Sequence, residues 1–327
     1  MKIKISDSYR YAICPCHIQQ WCMELLKFTG AEYIPESSNV YADIGINVKE
    51  NVGISVFVDL SDPWSLVNTL NVDLLVDESL KNMLEVPFVA PSVAFKNSSD
   101  KGLAWIDSFD VYTSFIANKP VQEYIVPHLK HAKYIYTPHS LPFDTFFNSG
   151  KEREYDVFFS GAMDPKWYPL RNKIQRALQN APQIKQQYSP ICGNKAKEII
   201  QTHEVSKEEM IVQFEKQLFE FANKLRNAKC TLFDGTIFNI PVKKYIESMA
   251  CGCLVFAPLP IDSEVLGYVD GENMIIINDT NYMDLLNYYL AHPVEMKRIT
   301  DNAYQLYLEK YTCEKSVEIF MQKLQSK

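Results

Sequence analysis

Short runs of β-forming residues alternate with amphipathic stretches along the whole chain, a pattern typical of helices layered on parallel sheets. Within residues 17–28, Ile18, Trp21, Cys22 and Leu25 recur at helical spacing and predict a helix with one apolar face. In the first half of the chain, the same pattern predicts strands at residues 2–6, 53–60, 74–77, 88–90, 111–114 and 133–137.

A linker interrupts this alternation near the middle of the chain. Residues 140–154 contain proline, asparagine, serine and glycine, and they end in four consecutive charged residues. That composition is typical of an exposed connection between domains. We therefore expect a first domain of residues 1–145, a second domain of residues 146–312 and a terminal helix within residues 313–327.

The alternation resumes after the linker. Pro241 suits the first position of a helix because proline has no N–H to leave unpaired, and Gly252 suits the cap after its last turn. The predicted strands span 156–161, 230–234 and 253–257, and the predicted helices span 171–178, 215–228 and 241–252. In the terminal helix, one apolar face is formed by Val317, Phe320, Met321 and Leu324.

Composition narrows the class of protein. The chain has 327 residues, enough for two domains of ~150 residues each. Its formal net charge is −7, and no run of Lys or Arg marks a basic surface, so a nucleic-acid partner is disfavoured. Eight cysteines without a signal-peptide pattern indicate reduced thiols. We expect a cytoplasmic protein, with contact to a membrane surface and the oligomeric state left open.

Small-residue turns follow predicted strands in the second half, at the positions where open parallel sheets bind ligands. One turn is Ser160-Gly161-Ala162, and a second is Asp234-Gly235-Thr236. A third begins at Asn239 and leads into the helix predicted from Pro241. These turns are the candidate ligand-binding loops.

Two lysines stand at the start of that helix. Lys243 and Lys244 lie in its predicted first turn, where the helix dipole disfavours a cation by ~0.3–1 kcal/mol. Glu247 follows Lys243 by four residues and shares its face. An anion such as a diphosphate bound at this end would compensate the misplaced charges, and two solvated surface lysines are the alternative interpretation.

Residues 221–258, with the pattern Pro-x-Lys-Lys-x-x-Glu-x-x-Ala-Cys-Gly, resemble the donor-site block of the group 1 glycosyltransferases. The branch that includes spore-maturation-type proteins is the most similar. Weaker likenesses extend the resemblance over about the second 60% of the chain. The resemblance implies the GT-B fold, in which two Rossmann-like domains face a cleft and the C-terminal helix crosses back onto the N-terminal domain.

The resemblance also implies roles for individual residues. Glu247 takes the place of the glutamate that binds the ribose of a sugar nucleotide, and Lys243 or Lys244 would bind the diphosphate. Asn239 stands where common family members carry a second glutamate that contacts the sugar. Further contacts to the phosphates are expected from Lys166 and Arg171, and from backbone N–H groups beside Gly161, Gly235 and Thr236.

The implied activity is metal-independent, retaining transfer of a sugar from a nucleoside-diphosphate sugar of the UDP or GDP type. The expected acceptor is a glycan, a lipid-linked sugar or another hydroxyl, and no separate cofactor is needed. The chain contains no Asp-x-Asp pair, the metal-binding motif of the other large glycosyltransferase fold. A metal site built from Cys14, Cys16, His17 and Cys22 has unsuitable ligand spacing, so none is expected.

The sequence offers several candidates for a catalytic base and two alternative functions. His17 and Asp62 follow predicted strands of the first domain, Asp59 is placed similarly, and His139 lies at the crossing into the second domain. A nucleotide-sugar epimerase of the same fold would need carboxylates at the sugar, a requirement that Asn239 does not meet. A protein that binds nucleotide sugars without turnover is the other alternative.

Overall fold

In the computed structural model, residues 118–161, 168–189, 207–237 and 239–326 are described continuously. Before them the structure describes residues 2–6, 32–36, 43–49, 52–59 and 111–114 and the single positions 21, 24, 25, 27, 28 and 107; positions 163, 165 and 166 are also described. The predicted strands 74–77 and 88–90, and the candidate residues His17 and Asp62, lie outside these residues.

The chain divides into two units. The first comprises Met1–Tyr11, Ile18–His139 and Ser316–Lys327, and the second comprises Ala12–His17 and Ser140–Lys315. The domain limits expected from the sequence, and the return of the terminal helix to the N-terminal domain, stay predictions.

Strands of the first unit form two sheets. A parallel pair joins β1 to β2, and a second sheet has the order β3-β4-β5-β6, with β3 and β4 antiparallel and the later pairs parallel. The strands predicted at 2–6 and 111–114 are confirmed, whereas β2 and β3 were not predicted. The elements are β1 (Lys2–Ser6), β2 (Glu32–Glu36), β3 (Asp43–Lys49), β4 (Val52–Asp59), β5 (Val111–Ser114), α1 (Lys119–Tyr124) and β6 (Lys133–Tyr136).

The second unit is built on one parallel five-stranded sheet with the order β11-β10-β9-β7-β8, which confirms the predicted α/β architecture. Its elements are β7 (Tyr155–Ser160), α2 (Pro169–Gln179), β8 (Gln186–Ser189), α3 (Lys207–Arg226), β9 (Ala228–Leu232), α4 (Lys244–Ala250), β10 (Leu254–Ala257), α5 (Ser263–Leu266), β11 (Ile275–Ile276), α6 (Tyr282–Ala291) and α7 (Pro293–Lys310), followed by α8 (Cys313–Gln325).

The central strands of this sheet are apolar almost throughout. All four residues of β10 and the last four of β7 are buried, as expected where a parallel sheet is covered on both faces. Val157, Leu232 and Phe256 belong to one core cluster with Ile174 of α2 and Ile299 of α7. The helices therefore cover the faces of the sheet, and the ends of its strands are the places where a ligand site can form.

The strand order reverses between β7 and β9. The chain passes from β7 outward to β8, returns to add β9 on the other side of β7, and then continues through β10 to β11. Loops that follow the two strands at such a reversal diverge, and the crevice between them is where doubly wound sheets bind ligands. The topology thus points to the carboxyl ends of β7 and β9.

The helix that carries the two lysines is shorter than predicted. It begins at Lys244 with Lys243 as its N-cap, so the prediction of a start at Pro241 is wrong. A tight turn, in which the Val242 N–H donates to the Ile240 carbonyl at 2.8 Å, occupies the preceding residues. The predicted cap is confirmed, because Gly252 has a φ of +72° and donates to the Met249 carbonyl at 3.0 Å.

The apolar face predicted for the terminal helix is confirmed at Val317, Phe320 and Met321, which are buried in α8. Trp21, in the first unit, contacts this face. Its indole Nε1 donates to the Ser316 hydroxyl at 3.1 Å, and its ring meets that of Phe320 edge-to-face at 5.2 Å. These contacts explain why the last helix of the chain is apolar on one side.

Candidate functional site

The candidate site lies where β7 and β9 end. Gly161 follows β7 directly, and Asp234 stands two residues beyond the end of β9. The two strands are neighbours in the sheet, with Phe158 opposite Thr231. The loops that follow them therefore start side by side, at the crevice that the strand order predicts.

A buried ion pair connects these two loops. The Arg171 guanidinium lies 3.0 Å from the Asp234 carboxylate, and both side chains are almost completely buried. Arg171 Nη2 also donates to the Asp234 main-chain carbonyl at 2.8 Å, and the Arg171 backbone N–H donates to the carboxylate at 3.0 Å. The guanidinium stacks 4.0 Å over the Tyr168 ring.

Lys244 places an amine at the end of β7. Its Nζ donates to the Ser160 carbonyl, and its aliphatic chain is half-buried. Gly161, with a φ of +114°, makes room for it, because a Cβ at this position would collide with the Lys244 amine and lie 2.7 Å from Arg171 Nη1. Burial and the neighbouring Arg171 charge lower the pKa of Lys244 to about 7, although the Glu247 and Asp234 carboxylates oppose the shift.

Glu247 lies one turn further along α4. Burial raises the pKa of its carboxyl group, and the ammonium groups of Lys243 and Lys244 partly counteract this. Its carboxylate makes no side-chain hydrogen bond to any other residue that the structure describes. Glu247, Lys244 and Ser160 line one small pocket. A carboxylate in this position is available to accept hydrogen bonds from ligand hydroxyls.

The loop between β9 and α4 has an uncommon backbone conformation. Thr236 and Asn239 have positive φ angles of 69° and 49°, a region that non-glycine residues seldom occupy. Hydrogen bonds hold the loop: the Ile240 N–H donates to the Gly235 carbonyl at 2.9 Å, and the Ile261 N–H donates to the Asn239 carbonyl at 2.8 Å. Strain of this kind is concentrated at binding and catalytic sites.

Gly235 is required by the fold of this loop. A Cβ on Gly235 would lie 2.5 Å from the Ile240 carbonyl oxygen, so the space beside it is filled by the chain itself. The predicted approach of a phosphate to its backbone stays a prediction.

The structure brings some of the predicted site residues together. Gly161, Arg171 and Lys244 meet at the end of β7, and Glu247 lies on the same helix as Lys244. Lys166 is exposed in the segment between β7 and α2. His139 is buried and belongs to the first unit.

The sequence places Asp234 in the second of the candidate turns but assigns it no role of its own. Its partner could not be found from the pattern, because Arg171 lies 63 residues away along the chain.

Neither a membrane-spanning helix nor a cluster of metal ligands occurs among the residues that the structure describes. None of the helices in the described part of the chain is long and apolar enough to cross a membrane. No cluster of three metal-binding side chains occurs among the same residues. The Cys14, Cys16 and Cys22 cluster considered in the sequence lies outside them.

Known proteins resemble this chain in its second half and in its overall fold. Residues 171–322 match the family described as "Glycosyl transferase-like". Sucrose-phosphate synthase from Thermosynechococcus elongatus superposes with a TM-score of 0.56 at 10% identity, over 98% of this chain and 97% of that one. The Anabaena protein Alr3699/HepE, in complex with UDP and glucose, gives 0.52 at 11% identity over 99% of each chain. No curated protein matches significantly.

Proposed function

We propose that the protein, a chain of the GT-B fold whose residues 171–322 match a glycosyltransferase family, transfers a sugar from a UDP- or GDP-sugar to a hydroxyl acceptor without a metal ion. The observation that carries the proposal is the placement of Lys244 and Glu247. One short helix presents an amine and an available carboxylate beside the reversal point of the sheet. A nucleoside diphosphate offers the complementary groups, an anionic diphosphate and two ribose hydroxyls.

Each group of the site has a role in this proposal. Glu247 accepts hydrogen bonds from the ribose hydroxyls, and its distance of one turn from Lys244 matches the separation of ribose from diphosphate. Lys244 and Lys243 bind the diphosphate, and the exposed Lys166 reaches it from the loop after β7. UDP is the first nucleotide to test, because the Anabaena protein of the same fold holds UDP and glucose.

The chemistry is departure of the nucleoside diphosphate and attack by an acceptor hydroxyl at the anomeric carbon. The bond between that carbon and the diphosphate oxygen breaks, and its electron pair leaves with the diphosphate. The acceptor oxygen forms the new bond to the same carbon, and its proton passes to the departing diphosphate. Positive groups held near the leaving oxygens stabilise the charge that develops there. The proposed outcome is retention of configuration without a protein nucleophile, and the proposed acceptor is a glycan or lipid-linked sugar.

A thermal-shift screen tests the donor site. The protein is heated with UDP, GDP, ADP, CMP or their sugars in the presence of EDTA, alongside Glu247→Ala and the surface control Glu309→Ala. Ligand at ~100 times its dissociation constant adds ~2.7 kcal/mol of stability, which raises the midpoint measurably. We expect a rise for one nucleotide that persists in Glu309→Ala and disappears in Glu247→Ala. An equal rise in all three proteins would contradict the assignment of Glu247.

Turnover distinguishes a transferase from a protein that only binds. We expect slow release of the nucleoside diphosphate from the donor in water and faster release with a suitable acceptor. Conversion of the donor to its epimer would contradict the proposal.

A further inference from the structure

Arg171 and Asp234 are joined by more contacts than an ordinary ion pair. One carboxylate oxygen of Asp234 accepts from the Arg171 backbone N–H at 3.0 Å, and the other lies 3.0 Å from the guanidinium. The same guanidinium donates to the Asp234 main-chain carbonyl at 2.8 Å. Arg171 therefore contacts Asp234 through both main chain and side chain, and the link ties the first turn of α2 to the end of β9.

The contacts with Asp234 engage the positive charge of the Arg171 guanidinium. The guanidinium is 3% exposed, and its Nη2 already donates to Asp234, which argues against a direct contact with a bound phosphate. Its Nη1 lies 2.7 Å from the position that a Cβ on Gly161 would occupy, a position that the Lys244 amine also approaches. Lys244 thus stands beside a cation whose charge is balanced by Asp234.

We propose that Arg171 and Asp234 are positioning residues of the donor site, which hold the loops after β7 and β9 together and keep the Lys244 amine beside the Ser160 carbonyl, with the Asp234 carboxylate balancing the Arg171 charge next to that amine. The inference rests on the proposed function, because it assigns Lys244 to the donor diphosphate. Asp234 acts on the donor through Arg171 and Lys244 without touching it.

The charges around Lys244 make the proposal specific. Arg171 of α2 disfavours the Lys244 ammonium, whereas Asp234 after β9 and Glu247 of α4 favour it. Asp234→Asn leaves the guanidinium unbalanced, so the ammonium becomes less favourable. Arg171→Met leaves the carboxylate unbalanced, so the ammonium becomes more favourable. The two substitutions break the same link and move the protonation of Lys244 in opposite directions.

A matched control lies at the other end of the same two strands. Asp156 of β7 and Lys229 of β9 form an ion pair at 2.7 Å, and Asp156 also accepts from a backbone N–H at 2.9 Å. Asp156→Asn therefore breaks a link between β7 and β9 in the same sheet, remote from the proposed site.

The experiment measures the affinity of the full chain for UDP-glucose, and for GDP-glucose in parallel, from pH 6 to pH 9. Because an opposite charge nearby shifts a pKa by about one unit or more, we expect the midpoint of the pH dependence to fall by about one unit in Asp234→Asn. The midpoint is expected to rise in Arg171→Met and to stay in place in Asp156→Asn. At pH 7, Asp234→Asn is expected to bind about fivefold more weakly than the wild-type protein, because the fraction of protein with a charged Lys244 falls from about one half to roughly a tenth.

Unchanged midpoints in both Asp234→Asn and Arg171→Met would overturn the inference, since a merely structural role predicts loss of stability without a shift. If a single variant does not fold, the double variant Arg171→Met with Asp234→Asn avoids an unpaired buried charge. It is expected to keep the wild-type midpoint and lose about tenfold in affinity, and full affinity would overturn the inference. Absence of binding by the wild-type protein would contradict the proposed function itself.

Discussion

Lys244→Arg keeps a positive charge at this position but makes that charge independent of pH. In the wild-type protein, burial and the adjacent Arg171 lower the pKa of Lys244 to about 7, so the amine loses its charge near neutrality. An arginine stays charged throughout the range in which the protein is folded. If the charge at this position binds the donor diphosphate, the wild-type affinity must depend on pH and the affinity of the variant must not.

The magnitude follows from the fraction of protein that carries the ammonium. With the pKa at about 7, about half of the protein is competent at pH 7 and roughly a tenth at pH 8. The dissociation constant for a UDP-sugar should therefore rise about fivefold from pH 7 to pH 8 and about tenfold per pH unit above that. A bound anion raises the pKa of the amine, so binding at pH 7 should take up about half a proton from the buffer.

Isothermal titration in two buffers of different ionisation enthalpy measures this proton uptake. A sugar diphosphate diester is the ligand to use, because a terminal phosphate has its own ionisation near pH 6. Lys173→Arg is the control, because Lys173 forms an exposed ion pair with Asp279 on the same domain. A pH-independent affinity in the wild-type protein, or the same proton uptake in Lys244→Arg, would refute the reasoning.

Three further predictions concern the glycine turn and the first unit. Gly161→Ala is expected to abolish donor binding, whereas Gly150→Ala, with a φ of +65° and open space around its Cβ position, should bind normally in the same titration. Trp21→Phe removes the indole hydrogen bond to the serine of α8 and should lower the free energy of unfolding in urea by about 0.5–1.5 kcal/mol, with an unchanged value contradicting that contact. Partial desolvation raises the pKa of Asp107, but hydrogen bonds from three backbone N–H groups lower it by more, so the pKa is lowered overall. The stabilisation that this carboxylate provides is therefore present above its unfolded-state pKa. It is lost as the pH falls through the lower folded-state pKa. Acid titrations of stability should show this loss in the wild-type protein and a smaller one in Asp107→Asn.

The fold class was predictable because the second unit repeats one simple pattern. Some of its strands, such as β10, are continuous apolar runs, its helices have apolar stripes, and Gly252 has the positive φ that marks a helix end. The start of α4 was not predictable from the same signals. Pro241 is as acceptable in the turn that the structure shows as at the first position of a helix, and hydrogen bonds within the preceding loop decide between them.

The part of the site that lies on one helix could be predicted from the sequence. Lys244 and Glu247 are three residues apart, so their proximity follows from helical geometry. The Arg171–Asp234 link joins positions 63 residues apart, and no local pattern carries that information. The strand β2 was missed because Pro35 and two glutamates make its sequence resemble a loop, and pairing with β1 overrides this weak local preference.

The most direct test of the account measures whether Glu247 binds the ribose. Affinities of UDP and 2′,3′-dideoxy-UDP are compared in the wild-type protein and in Glu247→Ala. Hydrogen bonds to a charged group contribute about 1.5–3 kcal/mol, so the wild-type protein should prefer UDP by about tenfold or more, and Glu247→Ala should bind both nucleotides equally. Equal binding of the two nucleotides by the wild-type protein, or an undiminished preference in Glu247→Ala, would contradict the proposed donor site.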